Sequence, residues 1–393
     1  MNRKVLYLTP SPPIRNGIAD YAVSYKQAIE EYTDWHLEIV NQQQITGNSI
    51  SDILTLYRQV KQWQTDGIFQ NVALVHAEIG YAQHREFYTL FWIKRLLPHL
   101  PYCITVHDPP LVIAPALYYL SCGLNAKLIR HACRVLDYTF LGRSTIRFVL
   151  SSAACSFVLS DLGARALSQI VGKQANIQSL PHINFHSEGL LQKKKIKPIS
   201  ETLSILFMGF WGANKGIEIL LNAFTQVVTR SKQNVKLLLA GGLLENNINQ
   251  TYVNSILNNI DKSPVKAAIE VLGYIEPISV DATLQNSDIF VLPYIQSPGY
   301  SSSGVLMRAM AAGLAIVASD VGTISEEIKN LETGILVAPN DVDALAQALI
   351  RLVNEQSLRV QLSEQAQNYV FAEHSREKIA TRVSDIYDKL CHQ

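Results

Sequence analysis

The sequence predicts an α/β fold in which helices cover parallel sheets. Short apolar runs alternate along the chain with longer amphipathic stretches, and several of the runs are apolar on both faces. Strands of a parallel sheet have this composition because helices bury both of their faces. The repeated alternation of strand and helix therefore favours a doubly covered parallel sheet. The predicted strands are 4–8, 72–76, 102–106, 155–159, 204–208, 235–240, 268–272, 288–292, 314–319 and 334–337.

A polar break divides the chain into two halves of similar size. It contains a run of three lysines and a proline, and the apolar alternation restarts at Ser204. A lysine run of this kind is typical of a solvated linker, and an anionic partner such as a lipid surface is the alternative. Helical periodicity is clearest at 215–230, 277–286, 303–312 and 341–354. We predict two Rossmann-like domains at 1–185 and 204–372, a linker at 186–203, and a C-terminal helix within 373–393.

The charge balance excludes one class of function. The 393 residues include 34 Lys and Arg against 33 Asp and Glu, so the formal net charge is +1. A polybasic nucleic-acid-binding protein would carry a strong positive excess, and we expect no nucleic-acid partner. Charged residues make up 17% of the chain, below the usual figure of about 25%. This favours a surface that is less polar than usual, as at a contact with a partner or a membrane. The aromatic residues of 87–92 are typical of core packing, with membrane-surface attachment as the alternative.

The sequence also bears on the cellular compartment. The first apolar run is Val5–Leu8, and prolines follow it, which does not fit a secretory signal. No stretch approaches the roughly 18 apolar residues of a membrane span. The cysteines are odd in number and form no C-x-x-C pair, which argues against disulfide frameworks and zinc ribbons. We expect a reduced cytoplasmic protein, peripheral at most to the inner face of the membrane. The cysteines are Cys103, Cys122, Cys133, Cys155 and Cys391.

The first loop of the C-terminal half has the composition of an anion site. A predicted strand runs into Gly209, a short polar turn follows, and Lys215–Gly216 opens a helix. Glycine allows the backbone to approach a phosphate, a helix N-terminus offers N–H groups, and lysine adds charge. The spacing is neither a Walker A loop nor a dinucleotide fingerprint. A plain turn with a surface lysine is the alternative.

A second loop repeats this arrangement. After the strand at 288–292, a Ser/Gly/Pro-rich segment leads through Ser301, Ser302 and Ser303 into a helix that begins near Gly304. Serine is a preferred N-cap residue, so capping alone explains the pattern in one interpretation. In the other, N–H groups of Ser303–Val305 bind a phosphate. Two such loops at the carboxyl ends of strands in one sheet suit a diphosphate ligand.

Several segments in order resemble one enzyme family. Five segments are similar to motifs of family-4 retaining glycosyltransferases and follow in the same order. They are GFWGANKGIEILLNAF (209–224), VLGYIEP (271–277), SDIFVLP (287–293), AMAAGLAIVASDVGTISE (309–326) and TGILVAPNDVDALAQAL (333–349). The resemblance implies the GT-B fold, with two Rossmann-like domains that face each other across a cleft. It implies a nucleotide-sugar site in the C-terminal domain, an acceptor site in the N-terminal domain, and a last helix that crosses back to the N-terminal domain.

The resemblance also implies residue roles. Lys215 contacts the donor diphosphate and Gly209 allows its close approach. The Gly273–Tyr274 turn lies near the base. Residues 301–305, that is Ser301, Ser302, Ser303, Gly304 and Val305, hold the phosphate and sugar region.

Two departures from the family pattern bear on the donor. The family usually has an Arg after the first-loop glycine, where this chain has Phe210. It usually has two glutamates seven residues apart, where this chain has Ser301 and Arg308. Arginine cannot accept hydrogen bonds from ribose hydroxyls. We expect Arg308 to pair with phosphate instead and to take part in catalysis.

The N-terminal half carries polar side chains after its predicted strands. SPPIRNG (11–17) precedes the first helix and is an ordinary loop in one interpretation. By resemblance it is the family's N-terminal glycine loop, with Gly17 near the donor. Arg15, Asp20 and Tyr21 then line the acceptor side.

Glu78 and His107 also follow predicted strands. A histidine in this position is often structural, but the family carries a His at this place near the donor sugar, which implies a catalytic role for His107. We predict that Glu78 contacts the acceptor. A carboxylate can fix the tautomer of an imidazole, although Asp108 is adjacent in sequence and need not face His107.

Two patterns mimic metal sites. Asp341 and Asp343 form D-x-D, but they begin an amphipathic helix, where acidic residues cap and complement the dipole. His182, Asn184 and His186 follow a strand end without a further ligand cluster. We therefore expect no metal and no cofactor, and we place PHIN (181–184) at the cleft wall or between domains.

The sequence thus predicts a retaining glycosyltransferase that moves a sugar from a UDP- or GDP-sugar to a hydroxyl of a glycan or lipid-linked acceptor, in polysaccharide or glycoconjugate biosynthesis. A catalytically silent binding or scaffold protein is one alternative, and the missing glutamates favour it. Another GT-B enzyme, such as a sugar-nucleotide epimerase or a phosphorylase, is a second alternative. A nicotinamide dehydrogenase is disfavoured by the absent fingerprint.

Overall fold

A computed structural model gives the fold of most of the chain. It describes residues 3–10, 17–45, 50–80, 84–109, 141–172, 175–185, 201–242, 250–295, 300 and 302–392. The chain divides into two compact units, which do not follow the sequence continuously. The N-terminal unit comprises Met1–Pro181, Gly299–Ser302 and Arg376–Gln393, and the C-terminal unit comprises His182–Pro298 and Ser303–Ser375.

The N-terminal unit is built on a six-stranded sheet in the order β2-β1-β3-β4-β5-β6. All of its strand pairs are parallel. The strands are β1 (Lys4–Leu8), β2 (His36–Ile39), β3 (Val72–Ile79), β4 (Tyr102–Val106), β5 (Cys155–Val158) and β6 (Ile177–Ser179). The helices are α1 (Gly17–Tyr32), α2 (Ile50–Thr65), α3 (His84–Leu96), α4 (Leu141–Ser151), α5 (Asp161–Val171) and, from the end of the chain, α13 (Arg376–Cys391).

The two faces of this sheet differ in character. One face packs against α2, α3, α4 and α5 through an apolar core that includes Leu6, Val75 and Ile104. Alternate residues point to the opposite face, where α1 and α13 pack against each other. That face carries Tyr7 and His76, both wholly buried. Polar side chains are therefore concentrated on the face that α1 and α13 cover.

The C-terminal unit contains a second six-stranded parallel sheet, in the order β12-β11-β10-β7-β8-β9. Alternate residues of its strands enter two apolar cores, as with Ile205 and Leu206, so helices cover both faces. The strands are β7 (Leu203–Phe210), β8 (Val235–Gly242), β9 (Ile269–Gly273), β10 (Ile289–Leu292), β11 (Ala315–Ser319) and β12 (Ile335–Val337). The helices are α6 (Ile217–Arg230), α7 (Gln250–Asp261), α8 (Pro277–Gln285), α9 (Gly304–Ala311), α10 (Ile324–Glu327), α11 (Val342–Asn354) and α12 (Gln356–Glu373).

The structure confirms the α/β class and all ten predicted strands, with ends that shift by a few residues. It adds the strands β2 and β6, which lie at the two edges of the N-terminal sheet. It also corrects the start of α6, because Gly216 adopts a left-handed conformation (φ 65°) that separates the turn at Lys215 from the helix. The predicted linker falls almost entirely on 186–200, outside the described residues. Within the described part of the chain, no helix combines the length and the apolar character that crossing a membrane requires.

Candidate functional site

Glycines lie at the carboxyl ends of β7 and β8 in the C-terminal unit. Gly209 pairs with Gly241, and Phe210 pairs with Gly242, at the last positions of the two parallel strands. The fit is tight, since a Cβ on Gly241 would lie 1.8 Å from the carbonyl oxygen of Gly209. All three glycines have positive φ, which other residues rarely adopt. We call Gly209, Gly241, Gly242 and Gly273 at the end of β9 the glycine floor.

The glycine floor is open on one side. A Cβ added to Gly242 or to Gly273 would meet no atom of the described residues within 4 Å. Backbone without side chains at the carboxyl edge of a parallel sheet allows a ligand to approach closely. The sequence predictions included Gly209 and Gly273 and missed Gly241 and Gly242. The signal that could have found them is the glycine pair directly after the strand run VKLLLA (235–240).

The loop after β7 places a lysine beside the floor. Gly216 has no room for a side chain, because a Cβ would lie 1.9 Å from the carbonyl oxygen of Pro293. The N–H of Ile295 donates to the carbonyl of Asn214 at 2.9 Å, which ties this loop to the segment after β10. The half-buried Lys215 has its Nζ 3.8 Å from the ring centroid of Tyr294. The loop therefore holds the Lys215 ammonium group next to the glycine floor, whose backbone carries no side chains.

Tyr294 links that cation to the glycine floor. Its hydroxyl lies 3.8 Å from the place that a Cβ of Gly209 would occupy. A cation held over an aromatic face keeps its charge and remains able to donate to an anion. Lys215 and Gly209, two of the predicted donor-binding residues, are thus neighbours of the same tyrosine.

The N-terminus of α9 lies against the first residues of the C-terminal unit. Ser303 is the N-cap, and its hydroxyl accepts from the N–H of Leu306 at 3.4 Å. A Cβ on Gly304 would lie 3.2 Å from Nε2 of His182 and from the ring of Phe185. The predicted cap is therefore present. The first N–H groups of a helix have no partner within it, so the amides at Gly304 and Val305 are suited to an anion.

Arg308 is held on the same helix by an aromatic ring. Its guanidinium carbon lies 4.1 Å from the centroid of the Phe185 ring, and Nη1 lies 3.9 Å from Oδ1 of Asp281. The side chain is 17% exposed. Contact of a guanidinium with an aromatic face restricts where the charge can lie. Phe185 thus contacts both the helix start and Arg308, a role that the sequence did not suggest.

The remaining residues that the sequence predicts for the donor and acceptor sites differ in their position and exposure. Tyr274, directly after β9, is 38% exposed. Ser302 lies two residues before α9 and belongs to the N-terminal unit by its contacts. Ser301 lies outside the described residues, and so does Arg15. Gly17 is the first residue of α1 and is exposed.

The N-terminal unit brings together Glu78 and His107 at the carboxyl ends of β3 and β4. Oε2 of Glu78 lies 2.6 Å from Nε2 of His107. The hydroxyl of Tyr7 donates to the other oxygen, Oε1. Tyr21 packs its ring edge-on to His107 with 4.9 Å between centroids. The carboxylate that faces His107 is therefore Glu78, from the neighbouring strand.

These neighbours are deeply buried. Glu78 and Tyr21 are 0% exposed and His107 is 8% exposed. Asp20, one residue before Tyr21, is exposed on α1. Of the predicted acceptor residues in the described ranges, Asp20 alone presents an exposed side chain.

The two metal-like patterns have structural roles. The carboxylate of Asp341 accepts from the N–H of Ala344 at 2.8 Å and caps α11. The carbonyl of His182 accepts from Nδ1 of His374 at 2.8 Å, and the N–H of Asn184 donates to the carbonyl of His374 at 2.9 Å. His186 lies outside the described residues. Where side chains are described, no group of three or more His, Cys, Asp or Glu could hold a metal ion.

The glycine floor lies within the part of the sequence that matches a family model. Residues 191–369 match the family model described as Glycosyl transferases group 1. This stretch of the C-terminal half is therefore similar to group 1 glycosyltransferases. A curated relative, N-acetyl-alpha-D-glucosaminyl L-malate synthase of Bacillus anthracis, is 27% identical over 263 residues, or 64% of this chain and 65% of that protein.

Solved structures show the same fold over the whole chain. Sucrose-phosphate synthase from Thermosynechococcus elongatus superposes with a TM-score of 0.72 at 18% identity and covers 99% of both chains. Anabaena HepE in complex with UDP-glucose has a TM-score of 0.68 at 15% identity over 98% of this chain and 99% of that chain. The chain therefore has the GT-B glycosyltransferase fold. Its sequence matches span 38–65% of the length of the first curated relatives.

Proposed function

We propose that this protein is a retaining glycosyltransferase that moves a sugar from a nucleoside-diphosphate sugar to a hydroxyl acceptor. The observation that carries the proposal is the glycine floor with Lys215 beside it in the C-terminal unit. A diphosphate needs close backbone approach and positive charge, and this loop supplies both. The group 1 family match falls on the same unit.

The donor site would use three kinds of group. The diphosphate lies over Gly209 and Gly242, and Lys215 binds its oxygens as a charged donor. Amides at the start of α9 bind the phosphate and sugar region. Arg308, whose guanidinium lies over the Phe185 ring, offers a second cation in place of the arginine that the family usually has at 210.

We propose UDP or GDP as the nucleotide of the donor. Support for UDP comes from the fold neighbour HepE, which was solved in complex with UDP-glucose. The acceptor is proposed to bind to the N-terminal unit near the exposed Asp20, with a glycan or lipid-linked hydroxyl compound as its chemical class.

Catalysis would depend on positioning and charge stabilisation. In front-face substitution the leaving phosphate oxygen takes the proton of the acceptor hydroxyl, so the protein supplies no side-chain base. Lys215 and the α9 amides stabilise the negative charge that develops on the diphosphate. Neither a metal nor a cofactor takes part in this scheme.

Slow hydrolysis of the donor in the absence of acceptor tests the proposal. We expect release of one nucleoside diphosphate from UDP-glucose or from another common UDP- or GDP-sugar. Proton NMR of the freshly released sugar should show the α anomer from an α-linked donor. Lys215→Ala should lower the rate about 10²–10³-fold, and Lys262→Ala, an exposed lysine on the same unit, should not change it.

Two outcomes would redirect the assignment. Nucleotide binding without any sugar release or transfer would favour the scaffold alternative. A released sugar of inverted configuration would contradict retention.

A further inference from the structure

Glu78 is a carboxylate at the centre of the polar face of the N-terminal sheet. It lies near the end of β3 and is 0% exposed. A buried ionised carboxylate is costly unless its oxygens accept hydrogen bonds. The hydrogen-bond partners of its two oxygens therefore indicate the role of Glu78.

Both oxygens of Glu78 are engaged. Oε1 accepts from the hydroxyl of Tyr7, and Oε2 lies 2.6 Å from Nε2 of His107. Carboxylates accept hydrogen bonds and do not donate them, so His107 must carry a proton on Nε2 for this contact. At 2.6 Å the bond is short for an N–H donor, and an ionised acceptor shortens such bonds.

The second histidine on this face, His76, does not form a hydrogen bond with Glu78. His76 lies with Nε2 3.7 Å from Oε1 of Glu78, beyond hydrogen-bond distance. Its Nε2 instead contacts Oγ1 of Thr105 at 2.8 Å, and its Nδ1 contacts the hydroxyl of Tyr387. Burial lowers the pKa of His76 to about 4, so it is neutral at pH 7.

His107 is fixed on three sides. Its backbone N–H donates to the carbonyl of Ile79 at 2.8 Å, which holds the end of β4 against β3. The ring of Tyr21 packs edge-on against the imidazole, and Glu78 holds Nε2. Within the described ranges Nδ1 of His107 has no hydrogen-bond partner, and the side chain keeps 9% of its surface exposed.

We propose that Glu78 is a positioning residue that holds His107 as its Nε2–H tautomer and leaves Nδ1 to accept a hydrogen bond from a substrate hydroxyl. This inference rests on the proposed function, because it assumes that His107 contacts the sugar or the acceptor. It replaces the sequence-based expectation that Glu78 itself contacts the acceptor. A wholly buried carboxylate with both oxygens occupied acts through the imidazole that it orients.

The tautomer of His107 provides the direct test, and it needs no substrate. Long-range ¹H–¹⁵N correlation spectra of the full chain labelled with ¹⁵N-histidine report which ring nitrogen carries the proton. His107→Asn identifies the His107 signals. We expect the Nε2–H pattern at pH 8, and an Nδ1–H pattern in the wild-type protein would overturn the proposal.

Variants separate orientation from simple packing. Tyr7→Phe with Glu78→Leu removes both partners together, which avoids a stranded buried polar group. We expect mixed tautomers for His107 in this double variant, whereas Glu78→Gln, which keeps an acceptor oxygen, should retain the Nε2–H form. A fixed Nε2–H tautomer in the double variant would show that Glu78 does not set it.

The same variants should also differ in their rate of sugar release. The double variant should lose about 10–100-fold in kcat for sugar release, with the dissociation constant for the nucleoside diphosphate unchanged, and Glu78→Gln should recover most of that loss. Tyr102→Phe removes another buried hydroxyl of this unit, which donates to the carbonyl of Val149, and it should change neither tautomer nor rate.

The two proposals fail in different ways. If no donor binds and no sugar is released, the proposed function fails while the tautomer still decides the role of Glu78. If sugar is released normally by the double variant, the proposed function stands and the positioning role is wrong.

Discussion

At the scale of single residues, Gly241 and Gly242 have different reasons to be glycine. Both have positive φ, but a Cβ at 241 would also collide with the Gly209 carbonyl, whereas a Cβ at 242 would meet no atom in the part of the chain that the structure describes. Position 241 is thus required for strand packing, and position 242 leaves room for a ligand.

This difference predicts the effect of adding one methyl group. Gly242→Ala should lower the free energy of unfolding by about 1–3 kcal/mol through backbone strain alone, and Gly241→Ala should lower it by more. Urea denaturation measures both. Gly242→Ala should also weaken nucleoside diphosphate binding, and equal stability losses for the two variants would contradict the packing argument.

Single-residue roles differ in how far the sequence reveals them. Lys215 and Gly209 lie in one short loop, so their proximity is implied by spacing along the chain. The contact of Glu78 with His107 joins residues 29 positions apart on neighbouring strands, and no local pattern encodes it. Asp108 is nearer in sequence, but adjacent residues at a strand end point in different directions.

At the scale of elements, α11 tests the interpretation of the D-x-D pattern. The carboxylate of Asp341 caps this helix, while Asp343 accepts from the side-chain amide of Gln226 at 2.7 Å on the exposed surface. Asp341→Ala should cost about 1 kcal/mol of unfolding free energy, as lost N-caps do. Asp343→Ala should cost less. Neither should weaken nucleotide binding, and a large loss of binding with Asp341→Ala would indicate a metal or ligand role.

A buried histidine after α12 predicts a pH-dependent stability. Nδ1 of His374 donates to the carbonyl of His182 at 2.8 Å, and Nε2 lies 3.1 Å from Oε2 of Glu327. Both ring nitrogens thus face acceptors, which requires the protonated imidazole. Burial opposes that charge, but Glu327 and the His182 carbonyl outweigh it, so the pKa of His374 is raised above its ordinary value.

The protonated His374 stabilises the folded protein at low pH and less at high pH. A raised pKa in the folded state stabilises the protein fully below the unfolded pKa of about 6.5, and this contribution is lost as pH rises through the folded pKa. Glu327→Gln should therefore destabilise by about 1–3 kcal/mol at pH 5.5, and the difference from wild type should shrink by pH 9. Urea denaturation at both values measures it, and a difference that grows with pH would contradict this ion pair.

The elements that the sequence predicts are those with strong periodicity. Strands such as β7 are apolar on both faces and are recognisable without a partner. The edge strand β2 exposes residues at both ends, and β6 has only three partly buried residues, so neither has the apolar run of a central strand. The helix α12 has apolar residues spread around it, and periodicity did not predict it.

At the scale of the whole molecule, each unit has its own sheet and apolar core. The alternation of strand and helix along the sequence was enough to predict both sheets. The return of α13 to the N-terminal unit was expected by family resemblance, because a helix alone does not reveal which sheet it covers.

The absence of a metal from the proposed chemistry is also testable on the whole protein. Sugar release should continue at an unchanged rate after dialysis against EDTA, because Lys215 and backbone amides supply the positive potential at the diphosphate. A rate that falls on dialysis and returns with Mg²⁺ or Mn²⁺ would show that the protein depends on a metal.

We propose above that the glycine floor and Lys215 bind a nucleoside diphosphate. The most direct measurement is the melting temperature of the protein with UDP, GDP or ADP, and with Lys215→Ala alongside. A nucleotide at 100 times its Kd should add about 2.7 kcal/mol to stability and raise the melting temperature by a few degrees. We predict this shift for UDP or GDP and its loss in Lys215→Ala. No shift with any nucleotide, or an equal shift in the variant, would contradict the assignment of this site.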